Sequence, residues 1–326
     1  MSECGDIAAL LHDNSRVVIV APHPDDETLA TGGLIQQALA ARAKVSVVLL
    51  TDGDMNPWPQ RVTERKIVVT PADRERWGRR RRKEAVAALA QLGLDKGDVV
   101  HLGLPDLGLV RMIEADVAGA IEPLAAIFRN VRPTLVAAPS LHDTHPDHGA
   151  AHVMTSLALS RSGGAVHCLS YLVHGRSARS GATLPLDAAM HTRKLDALKQ
   201  HETQMLLSRA RMLRYAERSE CLGAEDSASS PHDLDATTTL PWRLSAALLP
   251  FVSLFLVTRD ASERLSPVGD RHASATDARR CVRLDDGRLE LRLPSPLASG
   301  GPIFARLESR LPSPWIYDRW GWARLA

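Results

Sequence analysis

Short apolar runs rich in β-branched residues alternate with Ala- and Leu-rich stretches of helical spacing between residues 16 and 173. The runs that predict strands lie at residues 16–21, 45–50, 98–102, 134–138 and 165–173. The stretches that predict helices lie at residues 28–42, 83–92, 114–130 and 149–160. Near-continuous apolar strands separated by helices are typical of parallel sheets covered on both faces. The pattern therefore predicts an α/β fold with a Rossmann-like, doubly wound, mostly parallel sheet.

The sequence pattern changes from helical to strand-like after a further helical stretch at residues 186–216. An apolar run at residues 251–257 favours a buried strand, and residues 282–293 alternate apolar and polar positions around Asp286-Gly287, which favours a hairpin. These strands either extend the main sheet or form a separate β-rich unit. We predict three parts: a catalytic domain at residues 1–222, a Ser-, Ala-, Asp- and Thr-rich linker or loop at 223–239, and a β-rich C-terminal extension at 240–326.

The amino-acid composition excludes some classes of protein. Of the 326 residues, 40 are Lys or Arg and 38 are Asp or Glu, so the formal net charge is only +2. A general nucleic-acid binder would need a marked cationic excess, and none is present. The four cysteines form no CxxC pair, so reduced thiols are expected. No basic segment followed by an apolar run opens the chain, which predicts a cytoplasmic protein without a secretory signal.

The longest apolar stretch, at residues 244–257, is interrupted by Pro250. It is shorter than the roughly 20 residues that a membrane-spanning helix needs. Two interpretations remain: a buried strand, which we favour, or a peripheral surface through which an enzyme approaches a lipid-linked substrate. No transmembrane segment is predicted.

The first segment that carries chemistry is Ala21-Pro-His-Pro-Asp-Asp-Glu27, directly after the first predicted strand. It places one imidazole and three carboxylates within five residues. The carboxyl ends of strands are where open α/β sheets build ligand sites. Adjacent carboxylates repel unless a cation or hydrogen-bond donors compensate them. The segment predicts a metal site in which His23 and one Asp coordinate the ion while the other carboxylate stays free.

The second segment, His142-Asp-Thr-His-Pro-Asp-His148, follows the predicted strand at residues 134–138. Parallel strands release their C-terminal loops at one sheet edge, so the two segments can converge. Two imidazoles and one carboxylate around an open position suit hydrolytic zinc or non-haem iron. Either segment alone could be a structural turn, but both at strand ends favour a metal site. Six other histidines are interpreted as surface or core residues: His12, His167, His174, His191, His232 and His272.

Two further features favour structural roles. Gly32-Gly33 lies outside any GxGxxG or GxxxxGK[ST] pattern, so these small residues are interpreted as aids to close packing rather than a phosphate loop. The run Arg79-Arg-Arg-Arg-Lys83 could bind phosphate or nucleic acid, but it is interpreted as a partly solvated helix face. That interpretation leaves one Arg able to reach a substrate.

Ala21-Pro-His-Pro-Asp-Asp-Glu27 and His145-Pro-Asp-His148 resemble the paired signatures of the LmbE-like/PIG-L family of zinc-dependent N-deacetylases. Members of that family remove acetyl groups from N-acetylglucosamine-type sugars. The resemblance covers residues 15–220, with supporting matches at Arg81-Arg-Lys-Glu84, at residues 101–106 and at residues 194–204. The chain departs from the family at Thr203, where Ser is usual, and residues 240–326 have no counterpart.

The resemblance implies that His23, Asp26 and His148 are the protein ligands of Zn²⁺ and that Asp25 is the general base. Zinc with three protein ligands keeps a position for water and lowers the pKa of that water to about 7. The same ligand set also accepts Fe²⁺ or Co²⁺.

The resemblance also implies a second catalytic side chain, His145, across the site. Asp147 would orient the His145 imidazole, raise its pKa and keep it cationic, so that it stabilises the oxyanion. Arg81 and Asp106 are the candidate sugar contacts.

The sequence therefore predicts a metal-dependent hydrolase that removes the N-acetyl group from an acetylated amino sugar, which is part of an envelope glycan, a glycolipid or a glycosylated metabolite. Two alternatives stay open. One is an amidase acting on a sugar–thiol conjugate or another amide. The other is a sugar-binding protein without turnover.

Overall fold

The computed structural model describes residues 7–175, 181–215, 219–225, 238–269, 280–284, 286–292, 301–311 and 320–325. The strands of the first part are β1 Arg16–Ala21, β2 Lys44–Thr51, β3 Val99–Leu104, β4 Leu135–Pro139, β5 His167–Tyr171, β6 Ala182–Pro185 and β7 Ser219–Glu225. The helices are α1 Asp26–Ala40, α2 Pro57–Glu64, α3 Pro71–Gln91, α4 Leu109–Ala115, α5 Val117–Val131, α6 Pro146–Ser162, α7 Ala188–Gln200 and α8 Glu202–Arg214.

The seven strands form one sheet in the order β3-β2-β1-β4-β5-β7-β6. Strands β1 to β5 are parallel, whereas β7 runs antiparallel to β5 and β6 runs antiparallel to β7. The prediction of a mixed α/β protein with a mostly parallel central sheet is therefore confirmed. Because β1 lies directly beside β4, the loops that follow these two strands leave the sheet side by side.

Helices cover both faces of this sheet. Alternate residues of a strand point to opposite faces. Val17 and Ile19 of β1 therefore enter an apolar cluster with α1, α3 and α7. Val18 and Val20 enter a second cluster with α4, α5 and α6. All four of these side chains are fully buried. The central strand thus holds the site-bearing loops on a rigid support.

The helical stretch predicted at residues 186–216 is confirmed, and it consists of two helices, α7 and α8, separated at His201. His201 has a non-helical ψ of 59°. Its buried imidazole lies 3.1 Å from Thr28 Oγ1, where a continuous helix would not hold it. The backbone N–H and hydroxyl of Thr203 donate to the buried Glu84 carboxylate, which satisfies donors at the start of α8.

The helix predicted at residues 83–92 begins earlier, at Pro71. Thr70 caps its N-terminus: the Thr70 hydroxyl accepts from the Asp73 N–H, and the Asp73 carboxylate accepts from the Thr70 N–H. This reciprocal capping box fixes the start of the helix despite the charged residues that follow it.

The C-terminal strands are β8 Thr238–Arg243, β9 Val252–Val257, β10 Ser262–Leu265, β11 Val268–Gly269, β12 Arg280–Arg283, β13 Arg288–Arg292, β14 Phe304–Ser309 and β15 Trp322–Arg324. They form two four-stranded sheets, β10-β9-β14-β15 and β11-β12-β13-β8. The predicted hairpin is confirmed as β12 and β13, joined through Gly287 with a φ of 85°. Within the described residues these strands form sheets of their own rather than extending the main sheet.

One of the two C-terminal sheets, β10-β9-β14-β15, packs directly on the α/β core. Phe255, Val257, Phe304 and Trp322 share an apolar cluster with α5 and α6. A Cβ on Gly149 of α6 would lie 2.8 Å from Trp322 Cδ1, so the glycine allows this close approach. Of the predicted linker, residues 226–237 lie outside the described residues, and the domain boundaries stay a prediction.

Part of the apolar segment at residues 244–257 is explained by burial. All six residues of β9, Val252–Val257, are buried. The favoured interpretation of a buried strand is therefore confirmed for this part. Among the described residues, no helix combines the length and apolar character needed to cross a bilayer.

Candidate metal centre and cavity

Two loops at the C-terminal edge of the sheet build the site. The chain leaves β1 at Ala21, passes His23 and enters α1 with Asp25 as its N-cap residue. It leaves β4 at Pro139 and enters α6 with His145 as its N-cap residue. Because β1 and β4 are neighbouring parallel strands, these two loops meet, as the sequence predicted.

The three predicted metal ligands converge on one point. His23 Nδ1 lies 3.2 Å from Asp26 Oδ2, and His148 Nε2 lies 3.1 Å from the same oxygen. The two imidazole nitrogens are 3.3 Å apart. Ligands at the 2.0–2.2 Å bond lengths of tetrahedral zinc lie about 3.3 Å from one another. All three side chains are buried. The residues present therefore fit a single divalent ion.

Carboxylates support both imidazoles from behind. His148 Nδ1 lies 3.0 Å from Asp143 Oδ2, and His23 Nε2 lies 3.2 Å from Asp106 Oδ1. Asp147 Oδ2 is 3.5 Å from the same His23 nitrogen. Carboxylates on the outer nitrogen of a metal-binding histidine fix its tautomer and raise its basicity. Burial lowers the pKa of His148, but Asp26 and Asp143 outweigh it and raise the value to about 9. The negative charges of these carboxylates favour a bound cation.

Asp25 lies in the same loop, with its carboxylate facing Arg81. Asp25 Oδ2 is 3.3 Å from Arg81 Nη2. Burial raises the pKa of Asp25 to about 6, against the opposing charge of Arg81. Asp25 has a φ of 146°, a strained conformation for a residue with a Cβ. The Glu27 carboxylate accepts the Asp25 N–H at 2.9 Å and supports this conformation.

Arg81, predicted as a sugar contact, is 5% exposed and holds the loops that surround Asp25. Its guanidinium donates to the carbonyls of Pro24 and Gly53. A Cβ on Gly53, which has a φ of 62°, would lie 1.9 Å from Arg81 Nη1, so only glycine fits there. Arg81 also lines the cavity described below. Residues 79–83 therefore form the partly solvated face that was predicted, with Arg81 as its buried member.

The predicted pairing of Asp147 with the His145 imidazole requires correction. The Asp147 carboxylate accepts the N–H groups of Leu107 and Leu109, at 2.6 and 3.3 Å, and faces His23. Only the backbone N–H of Asp147 is directed to His145, where it donates to Nδ1 at 3.3 Å. Burial, with the positive charges of His23 and His148, lowers the pKa of His145 to about 2. The Asp147 carboxylate is therefore not placed to hold His145 as the cation that was predicted.

Asp106, the other predicted sugar contact, also has a structural partner. Besides facing His23, its Oδ2 accepts the Met55 N–H at 2.7 Å. Asp106 remains on the cavity wall. A contact of Asp106 or Arg81 with a sugar stays a prediction.

A cavity of about 410 Å³ opens onto these groups. His23, Asp25, Asp26 and His145 line its inner part. Helices α2 and α8 contribute further lining residues: Pro57, Trp58, Gln204, Ser208, Arg211 and Met212. Cavities of this volume accept small ligands. Sequence reasoning did not assign either helix to the site.

Residues 18–159 match the profile of a family described as PIG-L, GlcNAc-PI de-N-acetylase. This part of the chain is similar to the PIG-L family. The matched PIG-L segment holds all eight predicted site residues, from His23 to His148. The family expectation drawn from the two motifs is therefore confirmed.

Two curated relatives carry the name 1D-myo-inositol 2-acetamido-2-deoxy-alpha-D-glucopyranoside deacetylase. The protein from Mycolicibacterium smegmatis is 35% identical over 167 residues, which cover 48% of this chain and 57% of the relative. The protein from Mycolicibacterium vanbaalenii is 31% identical over 193 residues, which cover 54% of this chain and 65% of the relative. The match thus spans less than two thirds of either relative.

Among solved structures, N,N'-diacetylchitobiose deacetylase from Pyrococcus horikoshii aligns with a TM-score of 0.51 and 20% sequence identity. The alignment covers 66% of this chain and 85% of that protein. At this identity the likeness shows a shared fold.

Two residues of the PIG-L site were missed from the sequence. His174, interpreted as a surface or core residue, lines the cavity, and its ring centroid lies 5.2 Å from that of His145. Asp143 was quoted within its segment but given no role. Its Oδ2 accepts the N–H groups of Val173 and His174 at 3.0 and 2.9 Å, in addition to facing His148. A carboxylate five residues before a candidate ligand was the only available signal.

We expect Asp143→Asn to weaken zinc binding by about 10- to 100-fold, the usual effect of losing such a supporting carboxylate. The amide is isosteric but removes the charge that makes His148 basic. Competition with a chromogenic zinc chelator measures the change. The control is Asp196→Asn on α7, where the carboxylate pairs with the exposed Lys199 at the surface. Wild-type zinc affinity in Asp143→Asn would show that Asp143 does not support His148.

Proposed function

We propose that this protein is a metal-dependent N-deacetylase acting on an N-acetylglucosamine-type sugar. The observation that carries the proposal is the convergence of His23 Nδ1, Asp26 Oδ2 and His148 Nε2 within 3.3 Å of one another, at a cavity that Asp25 also lines. The PIG-L match and the deacetylase names of the relatives support the reaction type.

The donor set suits Zn²⁺, and iron or cobalt would also fit two imidazoles and one carboxylate. Bound there, the ion supplies a Lewis acid that activates water and polarises the amide carbonyl. The three protein ligands leave room for a further ligand from the cavity side. The carboxylates of Asp143 and Asp106 keep the two imidazoles oriented toward the ion.

Asp25 is the proposed general base. Its carboxylate accepts the proton of the attacking water, and its raised pKa places it closer to neutral pH than an ordinary Asp. Arg81 keeps the carboxylate facing the cavity, and the strained Asp25 backbone is held by Glu27. The proton on Asp25 is then available to the departing amine of the sugar.

His145 is proposed to stabilise the oxyanion as a neutral donor. Its Nδ1 accepts the Asp147 N–H, so in the neutral imidazole the proton resides on Nε2. A neutral N–H donor needs no carboxylate partner to carry out this task, which fits the position of the Asp147 carboxylate against His23. Such a donor contributes up to roughly 3–4 kcal/mol in the transition state.

Release of acetate from acetylated amino sugars tests the proposal. The substrates are N-acetylglucosamine, N,N'-diacetylchitobiose and an N-acetylglucosaminyl inositol, each assayed with zinc-loaded protein. We expect acetate release from at least one of them, its loss after chelation, and its return when zinc is restored. Protein with one zinc per chain that binds these sugars without releasing acetate would favour the sugar-binding alternative and contradict the proposal.

A further inference from the structure

Exposed apolar side chains are concentrated on one part of the surface. Six of the eight large apolar residues exposed in the described chain belong to α2, the loop after α2, and α8. Ile67 is 88% exposed and Val68 is 72% exposed. We call this set the rim patch; it consists of Trp58, Val62, Ile67, Val68, Leu206 and Leu207. Scattered exposed apolar residues are ordinary, but a concentration of them marks an interaction surface.

The rim patch adjoins the mouth of the cavity. Helices α2 and α8 pack against each other. Trp58 of α2 and Gln204, Ser208 and Arg211 of α8 line the cavity. Trp58 and Val62 are one helical turn apart on α2 and therefore share a face. Whatever covers the rim patch would sit next to the cavity opening.

Basic residues accompany the rim patch. Residues 57–70 and 202–214 contain six basic side chains and two acidic ones, in a chain whose total net charge is +2. Both acidic groups are neutralised by other arginines: Glu64 pairs with Arg76 at 2.5 Å, and Glu202 pairs with Arg80 at 3.0 Å. Lys66 pairs with Asp73 at 2.5 Å. The other basic residues of these two segments are Arg61, Arg65, Arg209, Arg211 and Arg214.

We propose that the rim patch docks on an anionic membrane surface, with the cavity mouth facing the bilayer. Apolar side chains flanked by Arg and Lys are the composition that inserts at a charged lipid interface. The Ile67-Val68 tip, the most exposed apolar pair, follows directly on Arg65 and Lys66. A second copy of the chain is a poorer occupant, because a symmetric dimer through this face would oppose two cationic surfaces. In the alternative membrane segment suggested by the sequence, at residues 244–257, the strand β9, Val252–Val257, is buried.

The experiment is co-sedimentation of zinc-loaded full-length protein with vesicles, without any sugar substrate. One vesicle set contains phosphatidylcholine and phosphatidylglycerol in equal amounts, and the other contains phosphatidylcholine alone. We expect binding to the anionic set at about 0.1 M salt and weaker binding at about 0.5 M salt. Because no substrate is present, failure of this proposal is distinct from failure of the deacetylase proposal.

Two variants locate the surface. Ile67→Ser combined with Val68→Ser should weaken vesicle binding at least about tenfold, because both apolar side chains of the loop tip are lost. The matched control is Phe251→Ser, which removes a side chain that is 43% exposed in the C-terminal part. Phe251→Ser should bind vesicles like the wild type. Thermal unfolding of each variant confirms that it folds.

Three results would overturn the proposal. The first is no sedimentation of the wild type with anionic vesicles, and the second is equal vesicle binding by the wild type and the folded Ile67→Ser, Val68→Ser variant. The third is a wild-type dimer that this variant converts to a monomer, because the rim patch would then be covered by a second copy.

Combining Arg209→Gln with Arg214→Gln should reduce the salt dependence of vesicle binding. An unchanged salt dependence would also count against docking on an anionic surface.

Discussion

Asp25→Asn is expected to lower kcat for acetate release by at least about 100-fold while the protein keeps its metal. The amide has the size of the carboxylate and still accepts a hydrogen bond from Arg81. It cannot take a proton from water or return one to the amine. KM should change much less than kcat, since the variant removes an interaction needed only in the transition state. Steady-state kinetics and metal analysis of the same preparation measure both effects.

Asn is a suitable replacement because it tolerates positive φ better than most residues, and Asp25 has a φ of 146°. Asp52→Asn serves as the control. Asp52 also follows a strand of the central sheet, but its carboxylate is paired with Arg82 at 2.5 Å. We expect this control to keep wild-type turnover. Asp25→Asn with full metal and near wild-type kcat would exclude Asp25 as the base. Loss of metal from Asp25→Asn would instead make Asp25 a ligand.

The central sheet could be predicted because its strands are buried on both faces. Such strands read as unbroken apolar runs, as β1 and β4 do, and each ends where a chemistry-bearing segment begins. Strand β7 gave no such signal. Its sequence, Ser219-Glu-Cys-Leu-Gly-Ala-Glu225, carries a buried charged residue, Glu220, which Lys194 neutralises. Pattern alone therefore could not separate β7 from a polar loop.

The ligand triangle could be predicted because each motif is local in sequence and neighbouring parallel strands bring the motifs together. The contacts that other side chains make with these histidines could not be predicted. Asp106 reaches His23 from the loop after β3, and His174 reaches His145 from the segment after β5. No spacing in the sequence relates these pairs. Arg81 lies within a run of charges that resembles a solvated face, and its burial depends on the missing side chain at Gly53.

The substitution of Thr for the usual Ser at position 203 keeps the chemistry of that position. The Thr203 hydroxyl donates to Glu84 Oε2 at 2.6 Å. This contact joins two of the segments on which the family resemblance depended, residues 81–84 and 194–204. The departure therefore does not weaken the assignment, although sequence alone could not show which group the hydroxyl contacts.

Lys194→Met is expected to destabilise the protein by about 3–5 kcal/mol, the usual cost of removing one partner of a buried ion pair. Lys194 is fully buried, and its Nζ lies 2.5 Å from Glu220 Oε1. The Glu220 carboxylate also accepts the N–H groups of Gly33 and Leu34, at 2.7 and 3.0 Å. It thereby joins α1, α7 and β7 behind the metal loop. Urea unfolding followed by circular dichroism gives the free energy change.

Lys199→Met is the matched control, since Lys199 lies on the same helix but is exposed and pairs with Asp196 at the surface. It should change the stability by less than about 0.5 kcal/mol. Adding Glu220→Gln to Lys194→Met should recover part of the loss, because the Gln carbonyl still accepts a backbone N–H without a buried charge. The close packing of Gly33 against Leu186 and Glu220 leaves no space for water to solvate an unpaired carboxylate. If Lys194→Met unfolds within 1 kcal/mol of the wild type, that carboxylate does not need its cation, and the two backbone donors alone hold β7 against α1.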